Sequence, residues 1–487
     1  MPDLLDLPPE ILRRIVHWAG SSNSAYFFEH HSDVQCDNGV DVFCLRKLRL
    51  VCKQLSGFAT EALFTQIVLF HDDIRDDDSS DSPCDDYVYS PDRGTRLLNN
   101  ILKVYSLRMI VKEFVLDFGK DQWGAAEPDI RKPFKSALKK LHLFPNLSHF
   151  KLNLPEVYLQ HSDSGYDGYL EFNHSVLRAV FGAISRDKCP NIYSLTIDHG
   201  LADDDIPWTR AFKMVMGQIT ELRINFAIWD REDHSCWERM EGFPRQWLSH
   251  AAGNLTFLEI NNDRCGSGYN PALRLVAEDV VFCHLDTLIL HKYCFGKEEQ
   301  FKWIYSHATT LQNLQLIDCV IISHTSIANR NLHNYTEIYE FPPSNVTVDP
   351  WHTAWQFTYS RRWHQVFDKI LKQLPELNHF EFWAASGHGD CYEIAVPEDA
   401  YGFKKAYVRM GHPNGHALDV CNAERQDIAD LELDIVSLQN LCDALKKPDI
   451  WSDSGASSGL EDAEDTEDME DSDYAEESGK YLWGHLR

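Results

Sequence analysis

Between residues 111 and 382 the chain repeats one spacing, apolar-x-x-apolar-x-apolar. It occurs at Val111/Phe114/Leu116, Leu147/Phe150/Leu152, Ile192/Leu195/Ile197, Ile219/Leu222/Ile224, Leu255/Leu258/Ile260, Leu285/Leu288/Leu290, Leu311/Leu314/Leu316 and Leu377/Phe380/Phe382. The last two positions of each triplet lie two residues apart, the period at which a strand sends side chains to one face. No such short strand buries its apolar side alone, so the units are expected to stack against one another. Amphipathic stretches precede most of them, as with Val176, Leu177, Val180, Phe181 and Ile184, or Trp363, Val366, Phe367, Ile370, Leu371 and Leu374. Neighbouring parallel strands need a crossover of a dozen or more residues, which such helices supply. The expected fold class is therefore α/β, with intervals of 26 to 45 residues and one gap of 66 between Leu311 and Leu377.

The amino end has a different pattern. Leu7-Pro8-Pro9-Glu10 opens a helix, since proline suits the first turn and Glu10 complements the positive end of the dipole. The spacing predicts a helix to about Trp18, with Ile11, Leu12, Ile15, Val16 and Ala19 on one broad side and Arg13, Arg14 and His17 facing water. A second amphipathic segment is expected over Val42 to Leu63, carrying Leu45, Leu48, Val51, Leu55, Phe58 and Ala62 at helical spacing. Two helices this short need a third element or a partner to cover them.

The runs L-D-L-P-P-E-I-L-R-R-I at 5 to 15 and L-R-L-V-C-K-Q-L at 48 to 55 resemble the F-box, the module that recruits substrate receptors to SCF-type cullin-RING ubiquitin ligases. The resemblance covers residues 2–64. It implies contact with a Skp-type adaptor through Leu5, Leu7, Pro8, Ile11, Ile15, Leu48, Val51 and Cys52. The family joins these helices by a short connection, whereas here Gly20 to Asp41 forms a long one rich in Ser, His and Asp. The helix, turn and strand units look like a leucine-rich solenoid, although only Leu311 to Cys319 places Asn or Cys three residues after the last apolar position. The others resemble the divergent repeats of fungal F-box proteins.

That resemblance organises the chain as an all-α module at 2–64, an acidic linker at 65–95, an irregular leucine-rich-repeat-like solenoid at 96–448 with an aromatic insertion near 323–362, and a disordered acidic tail at 449–480. The insertion carries Tyr335, Tyr339, Phe341, Trp351, Trp355, Phe357 and Tyr359 and reads as a binding loop or a plug over the solenoid edge. The concave strand positions would hold a target protein, with Lys151, Arg223, Phe257, Glu259, Gln315, Glu381 and Trp383 as candidate contacts. Mixed charge with aromatic anchors suits protein recognition. The alternatives are a conventional α/β domain with a parallel sheet, and a scaffold that binds partners without delivering them.

Charge narrows the partners. The net charge is -29, and thirteen acids with no Lys or Arg lie between Lys447 and Lys480. Phosphate backbones are repelled, so nucleic acid is not expected and a basic protein target is. Within the tail, Asp453-Ser454-Gly455-Ala456-Ser457-Ser458 has a phosphodegron-like spacing, for which a solubilising role is the simpler reading. Thirteen scattered cysteines without a C-x-x-C pair suit reduced thiols, hence cytoplasm or nucleus. No apolar run nears the roughly 18 residues of a membrane span. No phosphate loop, nucleophile elbow or metalloprotease motif appears, so no enzyme activity, cofactor or metal is expected.

Overall fold

The computed structural model describes residues 7–20, 42–70, 98–118, 132–155, 163–185, 189, 191–200, 206–226, 242–262, 280–328, 347–349, 354–385, 394–395, 406–410, 420–422 and 431–445. It is a mixed α/β structure dominated by one large parallel sheet. Strands β1 (Gln66–Phe70), β2 (Glu113–Asp117), β3 (His149–Asn153), β4 (Ser194–Gly200), β5 (Glu221–Phe226), β6 (Phe257–Asn261) and β7 (Thr287–His291) pair in chain order. Next come β9 (Asn313–Ile317), β13 (His379–Ala385) and the short antiparallel β14 (Ile394–Ala395). β8 (Cys294–Phe295) belongs to a second sheet.

The pairing is in register with the sequence spacing. Phe114, Phe150, Leu195, Leu222, Leu258, Leu288, Leu314 and Phe380 form one column across eight strands, and Leu116, Leu152, Ile197, Ile224, Ile260, Leu290, Leu316 and Phe382 form the next. All sixteen are buried. A one-residue slip in any strand would turn its apolar pair to the other face, so the pattern fixes the register.

The first apolar position of each unit precedes a shared backbone device. The carbonyl of Lys112 accepts the N–H groups of Ser148 and His149, and the carbonyls of Ser148, Tyr193, Thr220, Thr256, Asp286 and Gln312 each accept two from the next unit in the same way. The carbonyl of Thr65 does this for Lys112 and Glu113. A ninth unit is thereby revealed, Phe64/Ile67/Leu69, where a linker was expected from residue 65. Phe64 also ends a helix, which conceals the triplet in the sequence. Residues 71–95 of that linker lie outside the described residues.

The carboxyl ends of three units share a backbone feature. His199, Lys292 and Asp318 occupy equivalent positions seven residues after Ile192, Leu285 and Leu311, and all three have left-handed backbone, with φ of 60°, 50° and 51°. Cys319, the one consensus Cys, is buried and its Sγ donates to the Leu290 carbonyl of the previous unit at 3.2 Å.

Helices cover the apolar face. In the order met here, α1 is Pro9–Gly20, α2 Val42–Leu48, α3 Lys53–Phe64, α4 Tyr105–Ile110, α5 Lys132–Leu138, α6 Asp163–Ile184, α7 Arg210–Met216, α8 Glu298–Tyr305, α9 Trp363–Gln373 and α10 Leu431–Leu445. Val176, Leu177, Val180, Phe181 and Ile184 of α6 are buried as expected. Successive crossovers touch through edge-to-face rings: Phe181 meets Phe212 of α7 at 4.9 Å, and Phe212 meets Trp247 at 5.0 Å. On α9 the expected face holds except at Leu371, which is 42% exposed because it lies about 100° round the helix from buried Ile370.

The described part of the 323–362 insertion is sheet rather than loop. β10 (Val320–Ala328) pairs with β12 (Ala354–Thr358), which pairs with β11 (Thr347–Asp349); β15 (Tyr407–Met410) and β16 (Val420–Asn422) continue on the other side. Of its aromatic residues, Tyr335, Tyr339, Phe341 and Trp351 lie outside the described residues. A buried polar knot joins this sheet to the helices. The Tyr407 hydroxyl donates to Asp434 Oδ2 at 2.7 Å and accepts the Trp363 N–H at 2.8 Å, while Asp434 Oδ1 takes the His364 N–H at 2.7 Å and lies 3.0 Å from His364 Nδ1. Burial raises the Asp434 carboxyl above its ordinary range, against these donors, and raises the Tyr407 hydroxyl as well. The tail expected at 449–480 lies outside the described residues.

Leu258→Ala, at a site with no exposure, is expected to cost about 2–5 kcal/mol in chemical denaturation. Asp434→Ala strands buried donors and should cost about 2–4 kcal/mol, whereas Asp434→Asn, which keeps an acceptor, should cost less than half of that. Equal losses for the two would show that the knot adds nothing through hydrogen bonding.

Candidate functional site

Two surfaces qualify, and the first is formed by the amino-terminal helices. Leu12 and Val16 of α1, Leu45 of α2, and Leu55 and Ala59 of α3 form a small buried cluster of their own, rimmed by Leu7, Leu48, Cys52, Phe58, Ala62 and Leu63. Arg13 lies 5.4 Å above the Phe58 ring and 3.4 Å from Glu61, which fixes α1 on α3. The expected single segment from Val42 to Leu63 is two helices. After Leu48 the bonds Leu50 N–H to Lys47 and Val51 N–H to Leu48 tighten the turn, and Cys52 is extended, with φ of -159° and ψ of 166°. Its Sγ accepts the Leu55 N–H at 3.5 Å, so Cys52 caps α3 as well as packing on the cluster.

The break changes which residues are available. Leu50 is 87% exposed and Val51 66%, Ile11 is 40% exposed, and Pro8 is exposed. Leu7, Ile15, Leu48 and Cys52 are half-buried, and Leu5 lies outside the described residues. Thus Pro8, Ile11 and Val51 point outward, while Leu7, Leu48 and Cys52 serve partly as the floor. Leu50 was not among the expected contacts. A continuous helix also leaves it on the water-facing side, among Arg46, Lys47 and Arg49; it is Val51, expected on the apolar side, that the turn exposes.

The second surface is the sheet face opposite the apolar columns. All seven candidate target contacts lie on it, half-buried, but in three separate groups. Lys151 pairs with Asp198 at 2.9 Å. Arg223 stacks on the Phe257 ring at 4.2 Å, its Nε lies 3.2 Å from Glu259 and its Nη1 3.4 Å from Glu221. The other Glu259 oxygen is 3.4 Å from His291 Nε2. Farther along, Glu381 accepts from Trp383 Nε1 at 3.2 Å and lies 2.8 Å from His379 Nε2, with Gln315 beside it in register. The seven candidate contacts leave out two partners on the same face: Glu221, two residues from Arg223 on β5, and Asp198, on the strand that register places beside Lys151.

Among the described residues no group of three His, Cys, Asp or Glu side chains is placed to hold a metal ion, and no helix is long and apolar enough to cross a membrane. No family model and no curated protein matches this chain.

Arg223 separates Glu221 from Glu259, so Arg223→Ala is expected to cost about 1 kcal/mol in denaturation, and less as salt is raised. A double-mutant cycle with Glu259→Gln should give a coupling above about 0.5 kcal/mol. Additive effects would show the pair to be idle.

Proposed function

We propose that the chain is an F-box substrate receptor, in which α1 to α3 dock on a Skp-type adaptor of a cullin-RING ubiquitin ligase and a leucine-rich-repeat-like solenoid holds a target protein. The observation that carries this reading is the turn at Leu50 and Val51, exposed at 87% and 66% beside a cluster too small to draw them in. Interfaces of this type bury a few large apolar anchors at their centre, within a polar rim. Arg46, Lys47, Arg49 and Lys53 supply such a rim. The sequence resemblance at 5–15 and 48–55 points to the same partner. The solenoid reading is supported by strands that pair in chain order and by left-handed residues at equivalent positions of three units, His199, Lys292 and Asp318. In this reading the chain performs no chemistry; it raises the local concentration of target lysines near a ubiquitin-conjugating enzyme.

Leu50→Asp with Val51→Asp is expected to weaken capture of a recombinant Skp-type adaptor by at least about 100-fold, the loss typical of anchors at an interface centre. The melting temperature should stay within a few degrees, since both side chains already face solvent. Leu7→Ala with Pro8→Ala should weaken capture as well. Wild-type binding by the Asp variant would remove the dock from this surface.

A further inference from the structure

The chain carries a net charge of -29, yet the described residues at its amino end are basic. Segments 7–20 and 42–64, which hold α1 to α3, contain six Lys or Arg against Glu10 and Glu61. The stretch before β2, 98–112, adds Lys103, Arg108 and Lys112, and the stretch before β3, 132–148, adds Lys132, Lys135, Lys139 and Lys140; neither holds an acid. The sign reverses in the next crossover, where α6 has Asp163, Asp167 and Glu171 against Arg178. The basic segments are neighbours in space. β1, β2 and β3 pair in order, Asn146 Nδ2 donates to the Met109 carbonyl at 2.6 Å, and Lys140 Nζ donates to Asn99 Oδ1 at 2.6 Å. Arg49, next to Leu50 in the exposed turn, lies 5.8 Å over the ring of Phe64, the first apolar residue of the first unit.

Within this basic surface lies a second apolar spot. Val104 is 43% exposed just before α4, Tyr105 is 66% exposed at its first position, and Arg108 stacks on the Tyr105 ring at 5.2 Å. Lys103 donates to Asn100 at 3.3 Å, so Lys103, Lys140, Arg49 and Arg108 are held by amide oxygens and ring faces, which leave their charge uncompensated. An exposed tyrosine beside a branched aliphatic side chain, with bases around both, fits a surface that is acidic and partly apolar. Resting on the reading that α1 to α3 dock a partner, we propose that this partner is an acidic protein whose face runs from the turn at Leu50 and Val51 onto Val104, Tyr105 and the lysines before β3. A phosphate backbone meets the same bases but leaves Leu50, Val51 and Val104 in water, whereas an acidic protein face uses both features.

The test uses the full chain and fluorescence anisotropy of a labelled peptide of Gly-Glu-Leu-Glu repeats, with a Gly-Glu-Gly-Glu repeat peptide and a labelled single-stranded DNA as comparisons. Lys103→Glu with Lys139→Glu, both at exposed positions, is expected to weaken the Leu-bearing peptide at least about tenfold at low salt. The neutral pair Lys103→Gln with Lys139→Gln should weaken it by a smaller factor. Ser106→Lys, exposed on α4, should tighten it several-fold, a gain that misfolding cannot produce. Tyr105→Ala should remove the preference for the Leu-bearing peptide over the Gly-Glu-Gly-Glu one. Replacing the aspartates of residues 71–86 with Asn should tighten binding by less than about fivefold; a larger gain would make that segment the occupant of these bases and overturn the proposal. Equal affinity for all variants, or DNA bound as tightly as the Leu-bearing peptide, would overturn it too. Capture of a recombinant Skp-type adaptor by the same preparations is scored separately. A chain that binds the peptide in this pattern and ignores the adaptor keeps the acidic-partner site and loses the ligase reading; adaptor capture that charge reversal leaves unchanged loses this site alone.

Discussion

Nine strands lie side by side in chain order because one carbonyl at the head of each of the first eight takes two N–H groups from the strand that follows. Those eight carbonyls, from Thr65 to Gln312, set the lateral step of the sheet before any side chain is considered. The apolar triplets then make only one register tolerable. Each column residue touches equivalents on both sides, so burial of one unit depends on its neighbours being present. Crossovers differ greatly in length and form, as between the 22-residue α6 and the 7-residue α7, and the strands are indifferent to this. Their pairing is set at the strand head, and loop length enters closure free energy only logarithmically.

The same device welds the amino-terminal helices to the sheet. α3 ends at Phe64, Phe64 is also the first apolar residue of the first unit, and the Thr65 carbonyl begins the series. No free linker separates the two parts at that point. A partner held on the turn at Leu50 and Val51 is therefore carried by helices whose last residue is already part of the sheet. In the proposed receptor reading this matters physically, because proximity is useful only when the held target has a restricted position relative to the docked partner.

In the proposed reading the two surfaces bind by different physics. The turn presents branched apolar side chains to water, so a partner gains mainly from removing that area. The sheet face is half-buried and laced with ion pairs, and its own bases are spent on its own acids. There a partner gains through direction and charge, an effect that salt weakens. At the other end of the molecule the Tyr407, Asp434, His364 and Trp363 knot, with Trp363 Nε1 donating to the Ala406 carbonyl at 2.9 Å, holds α9, α10 and β15 together.

The sequence alone determined the repeating unit, the parallel sheet and which side chains enter the core, because a period of two with a fixed apolar triplet leaves one way to bury it. It also placed the helices α6 and α9 and the apolar side of α1. Tertiary structure decided what depends on neighbours distant in the chain. The extended backbone at Cys52 split a predicted helix and turned Val51 outward; the Phe64 triplet became a strand once β2 lay beside it; the aromatic insertion paired with β10 to form sheet. The pairing of Arg223 with Glu259, and the alignment of five Asp and Asn side chains on β2 to β6, follow from register across units about 27 to 45 residues apart, which no local pattern encodes.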